Sequence, residues 1–206
     1  MPKFLGAALG LALVAGWLAA SPAAADDLFP PPWRGQPNTT FGLWEFYTPN
    51  PSPLPDEGHY PFGPPSMAIY PGVGQVWQSE WNGRTGVWPL SGEIWLGIPN
   101  SPIQRPWKDI HIQLTWGPQA PGNTPIVMST QPISVPGTLV QTTPLGSGWF
   151  HSVYTIRLEP NPSWEQILIT GGIDVDELVV DTICIPEPAT LGLLGLGLVA
   201  IWRRRS

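Results

Sequence analysis

Apolar and polar residues alternate singly through several short stretches of this chain. In residues 108–116, Ile110, Ile112, Leu114 and Trp116 are separated by Asp109, His111, Gln113 and Thr115. A period of two sends the first set to one face of a strand and the second set to the other. Residues 92–98 repeat the pattern, with Ile94, Leu96 and Ile98 against Glu93 and Trp95. Residues 149–158 place Phe150, Tyr154, Ile156 and Leu158 on the inner face, leaving Trp149, His151, Val153, Thr155 and Arg157 outside. Asn82-Gly83 lies between residues 75–81 and 84–88 and predicts a hairpin, because both residues tolerate positive φ. Further strands are expected at 41–47, 138–143, 166–170 and 175–185.

The segments 48–66 and 117–125 are dense in proline, which fixes φ and removes a donor, so neither reads as a central strand. The first carries Asp56, Glu57 and His59 and reads as a stiff surface excursion rather than a functional loop. About nine or ten short strands predict an all-β body, a two-sheet antiparallel sandwich that is jelly-roll-like, with an immunoglobulin-like sandwich second. Its expected core includes Ile94, Leu96, Ile110, Ile112, Leu114 and Ile156.

Both ends depart from this pattern. Residues 1–25 have a basic start at Lys3, an apolar run from Phe4 to Ala20 and small residues at Ala23, Ala24 and Ala25. That order is a secretory signal helix with an A-x-A cleavage site, which implies Sec-type export. Residues 186–206 read Pro186, Glu187, Pro188, then an apolar run to Trp202, then Arg203, Arg204 and Arg205. A helix over 189–202 would be about 21 Å long against a bilayer core of about 30 Å, a short transmembrane segment suited to transient anchoring. The arginines form a cytoplasmic stop that leaves the preceding domain outside. The exported domain is therefore 26–185.

The 28 prolines and 23 glycines are about a quarter of the 206 residues, yet 12 tryptophans argue against simple disorder. Charged residues are 12%, too few for coiled coils or helices laced with ion pairs. Within 26–185 there are 5 basic and 14 acidic side chains, a net charge near −9. Nucleic-acid binding needs a basic stripe, so that class is excluded. Catalytic motifs are missing: no G-x-S-x-G elbow, no P-loop, no H-E-x-x-H and no paired C-x-x-C. His59, His111 and His151 lack metal-ligand spacing, and the lone Cys184 has no disulfide partner in the chain. Glu45, Glu80, Glu93 and Glu165 offer carboxylates for glycoside hydrolysis, but no motif selects a pair. Asp174, Asp176, Glu177 and Asp181 cluster near the last strand. They read as a solvated strand edge, with structural calcium as an alternative that no motif supports.

The tail closely resembles the PEP-CTERM sorting domain of exported proteins in Gram-negative and related bacteria. The resemblance rests on Pro186, Glu187 and Pro188, the apolar stretch and the basic end. It implies recognition of that motif by an exosortase-like processing enzyme, removal of the tail, and an association with extracellular polysaccharide and biofilm matrix. Residues 172–181 loosely resemble the final strand of galactose-binding-like jelly rolls, a likeness that carries over no binding residues. The expected protein is not an enzyme. It is anchored briefly in the inner membrane and then sits at the cell surface or outside.

Two function classes remain open at this point. One is a structural, matrix-associated protein without a site. The other is a carbohydrate-binding module in which Trp95 and Trp149, outward by alternation, stack on exopolysaccharide sugar rings with His151 at the rim.

Overall fold

A computed structural model of the chain describes residues 27–103 and 105–185. The expected signal helix, the tail helix, Pro186, Glu187, Pro188 and Arg203, Arg204 and Arg205 lie outside the described residues, as do the domain limits drawn at them. Within the described residues the secondary structure is all β. The strands are β1 (Thr39–Trp44), β2 (Glu57–His59), β3 (Ser66–Tyr70), β4 (Gln78–Trp81), β5 (Arg84–Leu90), β6 (Glu93–Pro99) and β7 (Trp107–Pro118). There follow β8 (Ile126–Gln131), β9 (Val135–Pro136), β10 (Thr138–Gly146), β11 (Trp149–Leu158), β12 (Trp164–Thr170) and β13 (Ile173–Ile185).

Every pairing is antiparallel, and the strands form two sheets. The eight-stranded sheet runs β10-β11-β7-β13-β1-β2, with β5 also paired to β13 and β4 to β5. The five-stranded sheet runs β3-β6-β12-β8-β9. Ile94, Leu96, Ile167 and Ile169 of the smaller sheet share one core cluster with Ile110, Ile112, Leu114 and Ile156 of the larger. The six expected core residues are all buried, and each such side chain contributes roughly 1.5–3 kcal/mol relative to an exposed one. The hairpin also forms as expected. Trp81 pairs with Arg84, and Asn82 and Gly83 take φ of 47° and 79°.

Three expectations change. The proline-dense segment 48–66 contains β2, which pairs with β1 at the margin of the sheet, where proline-flanked strands are tolerated. The short runs of β3 and β8 are strands as well, each next to a proline-rich turn that hides its period. The last strand is not an edge. One side of β13 pairs with β7, and its other side is shared between β5 and β1. A bulge between Val175 and Glu177 shifts the alternation, so Ile173 and Val175 before it and Leu178 and Val180 after it all reach the core.

Candidate ligand-binding face

Alternation gives each sheet an outer face, and the two outer faces differ. On the five-stranded sheet, β3, β6 and β12 are neighbours in fixed register. Tyr70 sits opposite Glu93, Ala68 opposite Trp95, and Ser66 opposite Gly97. On the far side of β6, Leu168 flanks Trp95, Gln166 flanks Gly97, and Trp164 flanks Pro99. The outward residues bound an open groove of about 720 Å³ lined by Trp95, Trp164, Tyr70, Glu93, Gln166 and Ser66, among others.

Gly97 lines the groove, and a Cβ there would stand only 2.8 Å from Ser66 Oγ. Tyr70 and Trp164 are exposed, and Trp95 is half-buried between its neighbours. At about 3.4 Å per residue, Trp95 lies about 14 Å along the sheet from the Trp164 row and about 7 Å from the Tyr70 row. Three rings in sequence along one face suit a long ligand with repeating flat units better than a single small ring. The groove's side-chain carboxylate is Glu93, and Ser66, Ser163 and Gln166 supply neutral hydrogen-bonding groups.

The structure does not bring Trp95, Trp149 and His151 together. Trp95 is on the outer face of the five-stranded sheet, whereas Trp149 and His151 are on the outer face of the eight-stranded sheet. Trp149 is only 3% exposed, because the β4–β5 hairpin folds over it. Its indole Nε1 donates to the Asn82 carbonyl at 3.0 Å, and the Arg84 guanidinium lies 5.8 Å from its ring. His151 is fully buried. Its Nε2 donates to Gln113 Oε1 at 3.2 Å, which leaves Nδ1 to accept from the Thr115 hydroxyl at 3.0 Å. A shared platform of these three residues is therefore corrected to Trp95 alone, joined by Trp164 and Tyr70.

What covers His151 is the segment 27–36. The Phe29 amide donates to Gln113 Oε1 at 2.8 Å, and the Phe29 ring tilts against His151 at 5.8 Å. His111 Nε2 donates to the Phe29 carbonyl at 3.0 Å, while Gln113 Nε2 donates to Asp27 Oδ1 at 2.6 Å. Burial lowers the His111 pKa, and the Phe29 carbonyl opposes that shift. Arg34 closes the strap. It donates to Asp181 Oδ1 and Oδ2 at 2.6 and 2.7 Å, pairs also with Asp27, and stacks over Phe41 at 4.1 Å.

The acidic cluster is correspondingly not a solvated edge. Asp181 is fully buried, and Asp174, Asp176 and Glu177 are nearly so, because β13 is flanked on both sides. Burial pushes the Asp181 carboxyl above its usual range, and the hydrogen bonds and charge of Arg34 pull it back only in part. Asp174 accepts from Trp81 Nε1 at 2.7 Å and from Gln119 Nε2 at 3.0 Å, and Asp176 pairs with Arg84 at 3.1 Å. Asp174, Asp176 and Asp181 thus face separate donors, and no group of three or more His, Cys, Asp or Glu is gathered for a metal among the described residues. Cys184 is buried near the end of β13.

Two of the groove's rings escaped the sequence reading. Tyr70 belongs to a five-residue strand in which only Met67 and Ile69 mark the period, and Trp164 stands just before the expected start of its strand. Trp164 is nevertheless in phase with Gln166 and Leu168, the outward set of β12, and that phase is the signal that would have found it.

The family model of the PEP-CTERM protein-sorting motif matches residues 185–205, beginning at the last residue of β13. The chain thus carries the sorting motif of exported proteins that pass the membrane and meet exosortase-type processing. A comparison with curated proteins found no match. Among solved structures, the chain is similar to a Bacillus thuringiensis Cry1Da tryptic core variant at 17% identity and a TM-score of 0.34. That alignment covers 57% of this chain and 22% of the other, so the chain spans less than a quarter of that structure.

Proposed function

We propose that this chain is an exported, non-catalytic surface protein whose jelly-roll-like body binds extracellular polysaccharide along the Trp95 groove. The observation that carries the reading is the line of Tyr70, Trp95 and Trp164 on the outer face left open among the described residues. An indole or phenol ring stacks on the flat apolar face of a sugar, while Glu93, Gln166 and Ser66 meet its hydroxyls. Hydrolysis by paired carboxylates uses two acids about 5–10 Å apart, and this groove presents Glu93. Several weak stacking contacts, repeated over many copies at a surface, give retention through avidity.

In this reading the N-terminal signal directs Sec-type export, and the tail anchors the chain briefly in the inner membrane. An exosortase-like enzyme then cuts near Pro186, Glu187 and Pro188, releasing the body to the cell surface or matrix. Two experiments test the two halves. In native gels cast with the producing organism's own exopolysaccharide, the exported protein migrates more slowly than in blank gels; equal mobility would contradict binding. Glu187→Ala leaves a longer, membrane-bound form in a host with the processing enzyme; maturation identical to wild type would contradict the sorting route.

A further inference from the structure

Among the described residues, a polar cluster in the core is explained by neither the groove nor the tail. Lys108 on β7, Glu165 on β12 and Asn100, the residue after β6, lie between the two sheets and are buried, with Lys108 and Glu165 fully so. Each occupies a core position by alternation. Lys108 is in phase with Ile110 and Ile112, Glu165 is in phase with Ile167 and Ile169, and Asn100 continues the inward series of Leu96 and Ile98.

Lys108 Nζ is 2.5 Å from Glu165 Oε1 and donates to Asn100 Oδ1. Asn100 Nδ2 donates to Glu165 Oε2 at 2.6 Å and to the Pro162 carbonyl at 2.7 Å. An amine, a carboxamide and a carboxylate touching both are thus closed off from water, with Leu158 and Cys184 cross-strand from Lys108 and Ile98 cross-strand from Glu165.

We propose that Lys108 and Asn100 join in an isopeptide bond formed by the folded protein itself, with Glu165 carrying the protons. Glu165 takes one proton from the Lys108 ammonium, and the free amine attacks Cγ of Asn100. The Nζ–Cγ bond forms as the carbonyl pair moves onto Oδ1. Glu165 then hands its proton to Nδ2. As the pair returns from Oδ1, the Cγ–Nδ2 bond breaks, ammonia leaves, and Nζ gives its second proton to Glu165. The products are a neutral secondary amide, ammonia and a neutral carboxylic acid, so atoms and charge balance without an oxidant or other co-reactant.

Three physical features favour this outcome. The reacting groups are held in contact by two packed sheets, which removes the entropy of bringing them together. The reaction replaces a buried ion pair, costly to desolvate, with neutral groups. Burial also raises the Glu165 pKa above the usual carboxylate range, against the pull of Lys108 and Asn100, which suits a group that ends the reaction protonated. The bond would tie the five-stranded sheet to the eight-stranded one beside Cys184 and Ile185, where the chain leaves for its sorting tail. A chain whose single cysteine has no disulfide partner would gain a covalent staple that needs no thiol.

Tryptic mapping of the full chain, isolated folded and then denatured, tests this. Cleavage after Arg84, Lys108 and Arg157 of an unlinked chain gives peptides 85–108 and 109–157, since Arg105 precedes Pro106 and resists trypsin. The bond predicts one peptide, 85–157, uncut at Lys108 and lighter than its sequence by one ammonia. A succinimide at Asn100-Ser101 also loses ammonia but leaves Lys108 cleavable, so the two readouts together are specific. Glu165→Gln, checked for its fold by circular dichroism, is expected to release peptides 85–108 and 109–157. Wild-type protein that yields those two peptides free would overturn the proposal whatever the variant does. A folded Glu165→Gln protein that is still linked would overturn the role of Glu165.

Discussion

The two outer faces of this body are built by the same period-two alternation and end in opposite states. The eight-stranded sheet turns His111, Gln113, His151 and Asp181 outward, yet the segment 27–36 and the β4–β5 hairpin cover much of that face. The five-stranded sheet turns Tyr70, Trp95 and Trp164 outward and leaves them beside an open groove. Polar side chains and Trp149 are therefore hidden on one side, while Tyr70, Trp95 and Trp164 line the open groove on the other. Alternation tells which side of a strand a residue takes, but not whether another part of the chain lies over that side. An aromatic ring left uncovered where polar groups are covered is the stronger sign of a binding face.

The largest effect belongs to the core both faces share. Ile112→Asp places an unpaired charge among fully buried residues, a cost of several kcal/mol and enough to unfold a marginal domain. Circular dichroism is expected to show no cooperative melting transition. Retention of the wild-type transition would undo the assignment of inner and outer faces. Next comes the covered face. Trp149→Ala removes an indole packed under the hairpin and is expected to cost about 3–5 kcal/mol in denaturant unfolding.

Arg34→Ala is smaller, about 2–3 kcal/mol, because the guanidinium is partly exposed while the Asp181 it serves is buried. Its pH dependence is distinctive. The folded pKa of Asp181 is raised, so the stability linked to its protonation is present below the unfolded value and is lost as pH rises through the folded value. Without Arg34 the carboxyl rises further and that loss deepens. The Tm deficit of the variant is expected to shrink on going from about pH 7 to about pH 4; a deficit independent of pH would show that Asp181 does not depend on Arg34. The smallest stability effect is at the open face, where Trp164→Ala is expected to change unfolding by under about 1 kcal/mol.

Much of the core was legible because its strands are long and strictly periodic, as in Ile94, Leu96 and Ile98 or Ile110, Ile112 and Leu114. The cover over the larger sheet was not. Residues 27–36 carry prolines and no period, and their contacts to Gln113, His151 and Asp181 span more than 80 positions in the chain. The buried acids of β13 were misread for a related reason. A central strand flanked by β7, β1 and β5 is a property of topology, and the bulge at Asp176 disguises the strand's own phase. Lys108 and Glu165 could have been found, since each stands in phase with an isoleucine run where a charged residue is out of place.

The contrast between the faces is tested most directly by Trp95→Ala and Trp149→Ala measured side by side, each for melting temperature and for mobility in gels containing the native exopolysaccharide. A binding face on the five-stranded sheet predicts that Trp95→Ala loses most of its retardation at nearly unchanged melting temperature. Trp149→Ala, compared below its own melting transition, is expected to melt much earlier and still be retarded. Retardation unchanged in Trp95→Ala, with the protein folded, would contradict the account.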